Sequence, residues 1–307
     1  MNTGSMNTGS IKTGHAHRRA LFLMIGATLC WSSAGVLVRH MHLHDPWEIT
    51  FWRSLFMTLF VGGWVWQQYR AKALHKIIAV GLPGLISGTL LTVMFVGFII
   101  ALSATTVANT LIVISVAPFI AALMGRIFLG ESVAIRSWLA MLVAFAGIVV
   151  MFFGAASHDR WVGAMIAAIV PVAYGVNIVI LRRMHASVDM IPAILIAGVI
   201  SALVTAPLAL PFDAVGRDFV LLALMGMVQL GLGCILMTIA SRQLSAAEIG
   251  LVSVLETVFG TAAVWLLAGE QPSLAAVAGG GIVIGALAAE QLASVRRSTR
   301  RAPAMIT

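Results

Sequence analysis

The chain has 307 residues, 60% of them hydrophobic and only 10% charged, against about a quarter charged in an ordinary soluble domain. So few charges cannot cover a water-soluble surface, and a mean hydropathy of +1.02 points to a chain solvated by lipid. The net charge of +8 does not make a nucleic-acid binder, because Lys and Arg stand in short clusters between apolar runs and form no single basic face.

Residues 1–19 are polar, contain MNTGS twice in succession and are read as a cytoplasmic tail outside the fold. Arg18 and Arg19 before Leu21–Leu29 imitate a secretory signal, but the apolar run continues to Val38 and more follow, so an uncleaved first helix is expected. A bilayer core of about 30 Å takes about 20 helical residues to cross. On that ruler, apolar runs between charged or Pro/Gly breaks predict spans near 20–39, 47–66, 77–101, 107–129, 134–154, 161–181, 190–210, 219–240, 248–268 and 274–292. Only Leu102 to Thr106 separate the third run from the fourth, so eight or nine spans is the rival reading. Cys30 and Cys234 lie inside apolar runs, without the neighbours of a disulfide framework or a zinc site. His40, His42 and His44 with Asp45 alternate as a loop does, and no second ligand cluster accompanies them, so no metal is expected.

With the N-terminus in the cytoplasm, fifteen of the 19 Lys and Arg residues fall in inside segments. Arg39, Arg160 and Arg217 fall outside, and Arg53 lies within the second span. That bias predicts both termini inside, with a basic cytoplasmic tail at 293–307.

The fourth and ninth spans repeat one another. APFIAALMGRIFLGE ends at Glu131 and ETVFGTAAVWLLAGE at Glu270, and Leu-Ser-Ala precedes each, at 102–104 and 244–246. Counting back from the glutamates pairs Pro118 with Thr257, while Trp31 lies eight residues before Arg39 as Tyr174 does before Arg182. The chain therefore reads as an all-α membrane protein of two five-helix halves, 20–154 and 155–292. Five is odd, so the halves cross in opposite senses, an arrangement that sets a binding site between them at the bilayer midplane.

These residues resemble the EamA-type members of the drug/metabolite transporter superfamily. The likeness rests on the aromatic-Ser-Ser stretch at Trp31–Ser33 with Arg39 after it, on Arg53, and on the paired Pro/Thr-to-Gly-Glu segments, and it covers about residues 20 to 292. Where the family often has a proline, this chain has Thr257. The resemblance implies a non-enzymatic exporter of small metabolites in the bacterial inner membrane. It implies amino acids as the commonest substrate class, with aromatic amino-acid exporters as one branch, and no cofactor.

The residues themselves nominate a site. Glu256 is the acidic residue near the middle of a span, where a carboxylate costs several kcal/mol unless paired or wet, so it reads as substrate-binding and as a proton carrier; the plainer reading is interhelical glue. Tyr174 and Asn177, three residues apart on the sixth span, set an aromatic platform beside an amide. Trp31 with Ser32 and Ser33 is the matching element of the first span. Gln229 and Asn109 follow the same reasoning, and Met94, Phe95 and Phe98 would supply apolar lining; packing and interhelical hydrogen bonds are the alternatives for all of these. Pro118 and Pro171 each lack an amide donor near mid-span and read as hinges. Gly84xxxGly88 and Gly281xxxGly285 read as helix-packing contacts. Arg53 is read as snorkelling, pairing with Glu48, or bonding a backbone carbonyl. The expected partners are a small-molecule substrate and the bilayer, for a monomer. A channel-like facilitator shares these features. An intramembrane enzyme does not, since HExxH, GxSxG and paired intramembrane aspartates are all missing from the sequence.

Overall fold

The structure is a computed structural model describing residues 6–104, 107–151, 161–185, 187–268 and 273–301; side chains of 6–15, 102, 103, 107–109, 161 and 291–301 lie outside the description. Among the described residues the chain is helical, with no strand. In lipid this is what the backbone requires, because a helix satisfies its own amides and carbonyls where no water can.

The first predicted span forms α1 (Met6–Ser32) and α2 (Ala34–Arg39), broken at Ser33. α1 reaches back into the stretch read as a tail. The second is α3 (Pro46–Tyr69), started by Asp45, whose side chain accepts from Glu48 N at 2.8 Å, and by Pro46. The third, predicted as one helix, divides into α4 (Ala73–Ala79) and α5 (Gly81–Ala104) at Gly81, whose φ of +54° suits glycine. The fourth divides into α6 (Val107–Ile114) and α7 (Ala117–Leu129), and α7 ends on Gly130 in the left-handed region. α8 (Ile135–Met151) and α9 (Trp161–Met184) complete the first half and open the second. α10 (Ile191–Thr205) stops short of the predicted 210 because Pro207 bars continuation. The eighth span runs as α11 (Gly216–Leu224), a π-helical stretch Met225–Leu232 and α12 (Gly233–Ala240). The ninth divides into α13 (Ala246–Ser253), started by a Ser245–Glu248 capping box, and α14 (Leu255–Ala268). α15 (Leu274–Arg301) continues past the predicted 292.

Six stretches, Ala16–Arg39, Gly81–Ala101, Thr110–Leu129, Val162–Met184, Gly216–Ala240 and Ala246–Leu267, are long and apolar enough to cross a bilayer. Ile135–Met151, Ile191–Thr205 and Leu274–Glu290 are shorter apolar helices. Their outer faces carry bare large side chains such as Leu203, Leu266 and Leu274, which suit lipid and not water.

The repeat is visible in the helix register. Glu131 and Glu270 lie 139 residues apart, and Val107–Ile114 and Ala246–Ser253 are separated by the same 139. Packing has the matching symmetry. α3 packs on α10 and α8 on α15, each an element against its own counterpart, α7 of the fourth span packs on α13 of the ninth, and α5–α9 and α1–α12 exchange first and third positions between the halves.

Small residues set the close approaches. A Cβ on Gly147 would sit 2.9 Å from Gly279 O, and one on Gly279 would sit 2.3 Å from Gly147 O, so these two glycines let α8 and α15 touch. Gly88 abuts Ile196 and Ala193 O of α10. Gly281 and Gly285, expected to pack, face open space, so on α15 that role falls to Gly279.

Candidate functional site: a cavity between the halves

A cavity of about 150 Å3 lies where the broken helices meet. α1, α3, α5, α6 and α7 of the first half line it, and so do α9, the π stretch, α12, α13 and α14 of the second. Three of the breaks, those in the first, fourth and ninth spans, carry a serine that turns its hydroxyl back onto the carbonyl three residues earlier. Ser33 bonds Cys30 O at 2.7 Å, Ser115 bonds Ile112 O at 2.6 Å, and Ser253 bonds Gly250 O at 2.6 Å. Such bonds compete with the helix ladder and bend it. α6–α7 and α13–α14 cross where a Cβ on Gly250 would meet Pro118 Cα at 2.8 Å.

Most residues nominated by the sequence meet here. Trp31, Phe95, Phe98, Tyr174, Gln229 and Glu256 line the cavity, as do Met94, Pro118 and Pro171. Trp31 lies across Gly233, where any Cβ would come within 2.4 Å of its Nε1. Glu256 stands in the first turn of α14, an end of the helix that favours negative charge. The π stretch carries Gln229 to the cavity wall; it packs so tightly on α3 that a Cβ on Gly226 would meet Arg53 O at 2.4 Å. α9 runs through Pro171 without interruption.

Two nominated residues are elsewhere. Ser32 is buried with its hydroxyl on Leu29 O at 2.8 Å, and Asn177 is buried against α5, accepting from Ser87 Oγ at 2.6 Å. Neither lines the cavity. The side chain of Asn109 lies outside the described residues.

The sequence leaves Arg53 open between snorkelling, pairing with Glu48 and bonding a backbone carbonyl. Arg53 is 2% exposed and lines the cavity, and its Nη2 donates to Phe95 O at 3.2 Å. It does not pair with Glu48. That carboxylate is occupied by Trp52 Nε1 at 3.1 Å, Asp213 N at 2.9 Å and Ala214 N at 3.0 Å, tying the start of α3 to the second half. The signal in the sequence was a cation in mid-span, which belongs in a protein interior or a wet cavity. Arg53 Nε, Tyr174 Oη and Gln229 Oε1 are buried polar atoms without a hydrogen bond of good geometry. Leaving such atoms unmatched costs about 1–3 kcal/mol each, which a polar ligand would recover. At the other end of the halves, Glu131 pairs with Arg182 and accepts from Ala246 N at 3.0 Å, and Asp189 pairs with Arg242 at 2.9 Å and accepts from Tyr69 Oη. His40 Nδ1 lies 2.9 Å from Val36 O, and the backbone N of His42 donates to Asp218 Oδ1 at 2.9 Å.

A helical protein with a mixed polar and aromatic cavity between two repeats is the architecture of a membrane transporter. The chain matches the EamA-like transporter family twice, over residues 18–153 and 161–289. It belongs to that family, whose members move small molecules across membranes and are not enzymes. One solved structure, titled only "Crystal structure of protein", is similar over 90% of this chain and 98% of its own, with a TM-score of 0.75 at 20% identity. That likeness bears on the fold alone. No curated protein matches the sequence.

Proposed function

We propose that the protein exports amino acids, aromatic ones among them, and related small metabolites from the bacterial cytoplasm by alternating access about this cavity. In this reading ten spans form two inverted five-helix halves, 20–154 and 155–292. Both tails, 1–19 and 293–307, are cytoplasmic, and one copy suffices for transport. Trp31, Phe95, Phe98 and Tyr174 stack on the substrate's apolar part, while Gln229 and Glu256 hold its polar end. Ser32 and Asn177 support the walls. Glu256 carries the proton, and Pro118 and Pro171 act as the hinges that gate access. The observation that carries the reading is the cavity itself, with aromatic faces and unmatched polar atoms together on broken helices of both halves.

Efflux from reconstituted vesicles loaded with a panel of amino acids tests it. Aromatic and other apolar amino acids should leave faster than from protein-free vesicles. Flux of none of them, with other metabolites exported, would overturn the substrate assignment. The topology has its own check in a Cys-free background, where Val215→Cys should react with impermeant maleimide from outside and Ser298→Cys should not. Labelling of Ser298→Cys in intact cells would overturn the ten-span orientation.

A further inference from the structure

The cavity holds a guanidinium and a carboxyl group, and among the described residues neither has an ion-pair partner in the protein. Arg53 enters from α3 and spends one nitrogen on Phe95 O, leaving Nε unmatched. Glu256 enters from α14 on the other half. Among the described residues neither forms an ion pair, with the other or with any third group, although Arg136 with Glu290, Arg182 with Glu131 and Arg242 with Asp189 pair elsewhere. The nearest acidic neighbour of Arg53 in sequence, Glu48, is committed to the backbone of 213 and 214. An unpaired charge in a low-dielectric interior costs several kcal/mol, so two retained in one small cavity call for a ligand that meets both.

We infer that Arg53 and Glu256 are the two poles of a zwitterion site, with the guanidinium taking a ligand carboxylate and Glu256 taking the ammonium. The inference rests on the proposed amino-acid reading and deepens it. A guanidinium presents a planar fork that matches a carboxylate, and its free Nε is one tine of that fork. The carboxylate of Glu256 accepts N–H bonds from an ammonium, and Gln229 Oε1, 6% exposed and unmatched, is a further acceptor on the same cavity. An anion would satisfy Arg53 and strand Glu256; a cation would do the reverse. A zwitterion enters neutral and satisfies both. The rest of the lining, Trp31, Phe95 and Phe98 among it, then faces the ligand's apolar side chain.

Binding of three probes with one ring and one chain length tests this, using the full-length protein in detergent and calorimetry: L-phenylalanine, 2-phenylethylamine, which lacks the carboxylate, and 3-phenylpropanoate, which lacks the ammonium. Wild type should bind phenylalanine about tenfold or more tighter than either truncated probe, since each lost hydrogen bond to a charged group is worth roughly that factor. Arg53→Gln should weaken phenylalanine about tenfold while leaving 2-phenylethylamine within about twofold. Glu256→Gln should weaken phenylalanine similarly while leaving 3-phenylpropanoate within about twofold. Arg53→Lys, which keeps charge and loses the fork, should retain a reduced preference for the carboxylate, and it decides the Arg53 arm if Arg53→Gln is not monodisperse. Equal weakening of all three probes by both monodisperse variants would show that the two charges serve only the fold, and would overturn the inference alone. A wild type that binds none of the three would bring down the amino-acid reading and this inference together.

Discussion

The two counterpart helices α6–α7 and α13–α14 break at the same register, after first pieces of eight residues each, yet they carry different chemistry at the break. At the 139-residue offset, Ala117 corresponds to Glu256, Pro118 to Thr257 and Leu111 to Gly250. The first copy supplies a proline and apolar wall, and the second supplies a carboxylate and a glycine. The shared break shows that shape belongs to the fold. The differing residues show that, at this break, the carboxylate comes from the second half alone, opposite the Arg53 that the first half contributes from α3. A cavity that needs one carboxylate and not two is better served by an asymmetric pair of repeats, because a second acid beside the first would raise the cost of burying either.

The largest effect expected from breaking that asymmetry is at Glu256. Glu256→Gln keeps the shape and hydrogen-bonding capacity and removes the titratable charge, so flux driven by an imposed pH gradient should fall to background in vesicles. The other titratable groups on the cavity, Arg53, Tyr174 and Cys234, remain. If transport is not proton-coupled, flux without a gradient should persist in Glu256→Gln and fail in Glu256→Ala. Full gradient-driven flux in both variants would leave Glu256 without a role.

Next in size is the crossing of the two broken helices. Gly250→Val places a branched side chain where even a Cβ stands 2.8 Å from Pro118 Cα and 3.2 Å from Ala121 Cβ. Overpacking of this kind costs about 1–3 kcal/mol, so the detergent-solubilised protein should melt at a lower temperature. Leu111→Val at the counterpart position, on the cavity wall, should change it less. An unchanged melting temperature for Gly250→Val would mean that the breaks do not depend on this contact.

Hydropathy made the spans legible, and the Gly-Glu recurrence made the repeat legible, because both are properties of residue type along the chain. What residue type does not encode is the direction a side chain takes around a helix. Trp31 faces the cavity and Ser32 beside it turns away, and Tyr174 faces it while Asn177 packs against Ser87. The breaks at Ser33, Ser115–Val116 and Val254 were hidden for a related reason. A serine bonding back to its own helix leaves the apolar run unbroken, so two prolines drew attention to bends that serines share. The role of Arg53 depended on where Glu48 finds its partners, and those lie 165 and 166 residues away in sequence.

A smaller effect is expected from Trp31 and Tyr174, the aromatic walls that come from the first helix of each half. Trp31→Ala and Tyr174→Ala should lower flux of aromatic amino acids about two- to tenfold more than flux of small aliphatic ones, since an aromatic pair contributes about 0.5–1.5 kcal/mol beyond its buried area. Equal losses for both classes at equal expression would assign these rings to folding.

The smallest effect is expected where the two copies differ most visibly, at Pro118. Val116 caps α7, so Pro118 occupies its second position, where a backbone N–H has no partner within the helix and proline removes no ladder bond. In the second copy Thr257 stands at the 139-residue offset, third in α14, its N–H donates to Val254 O at 3.2 Å, and the helix breaks before it without a proline. The alanine amide in Pro118→Ala has the corresponding carbonyl, that of Ser115, three residues back. The cost is then only the lost stiffness of proline in the unfolded chain, about 0.4–1 kcal/mol. Flux should stay within about twofold of wild type, and a spin-label distance between α6 and α7 should not change. Loss of transport with a lengthened α6–α7 distance would mean that the two copies reach one shape by different means, with proline setting the break in the first half and the Ser253 bond setting it in the second.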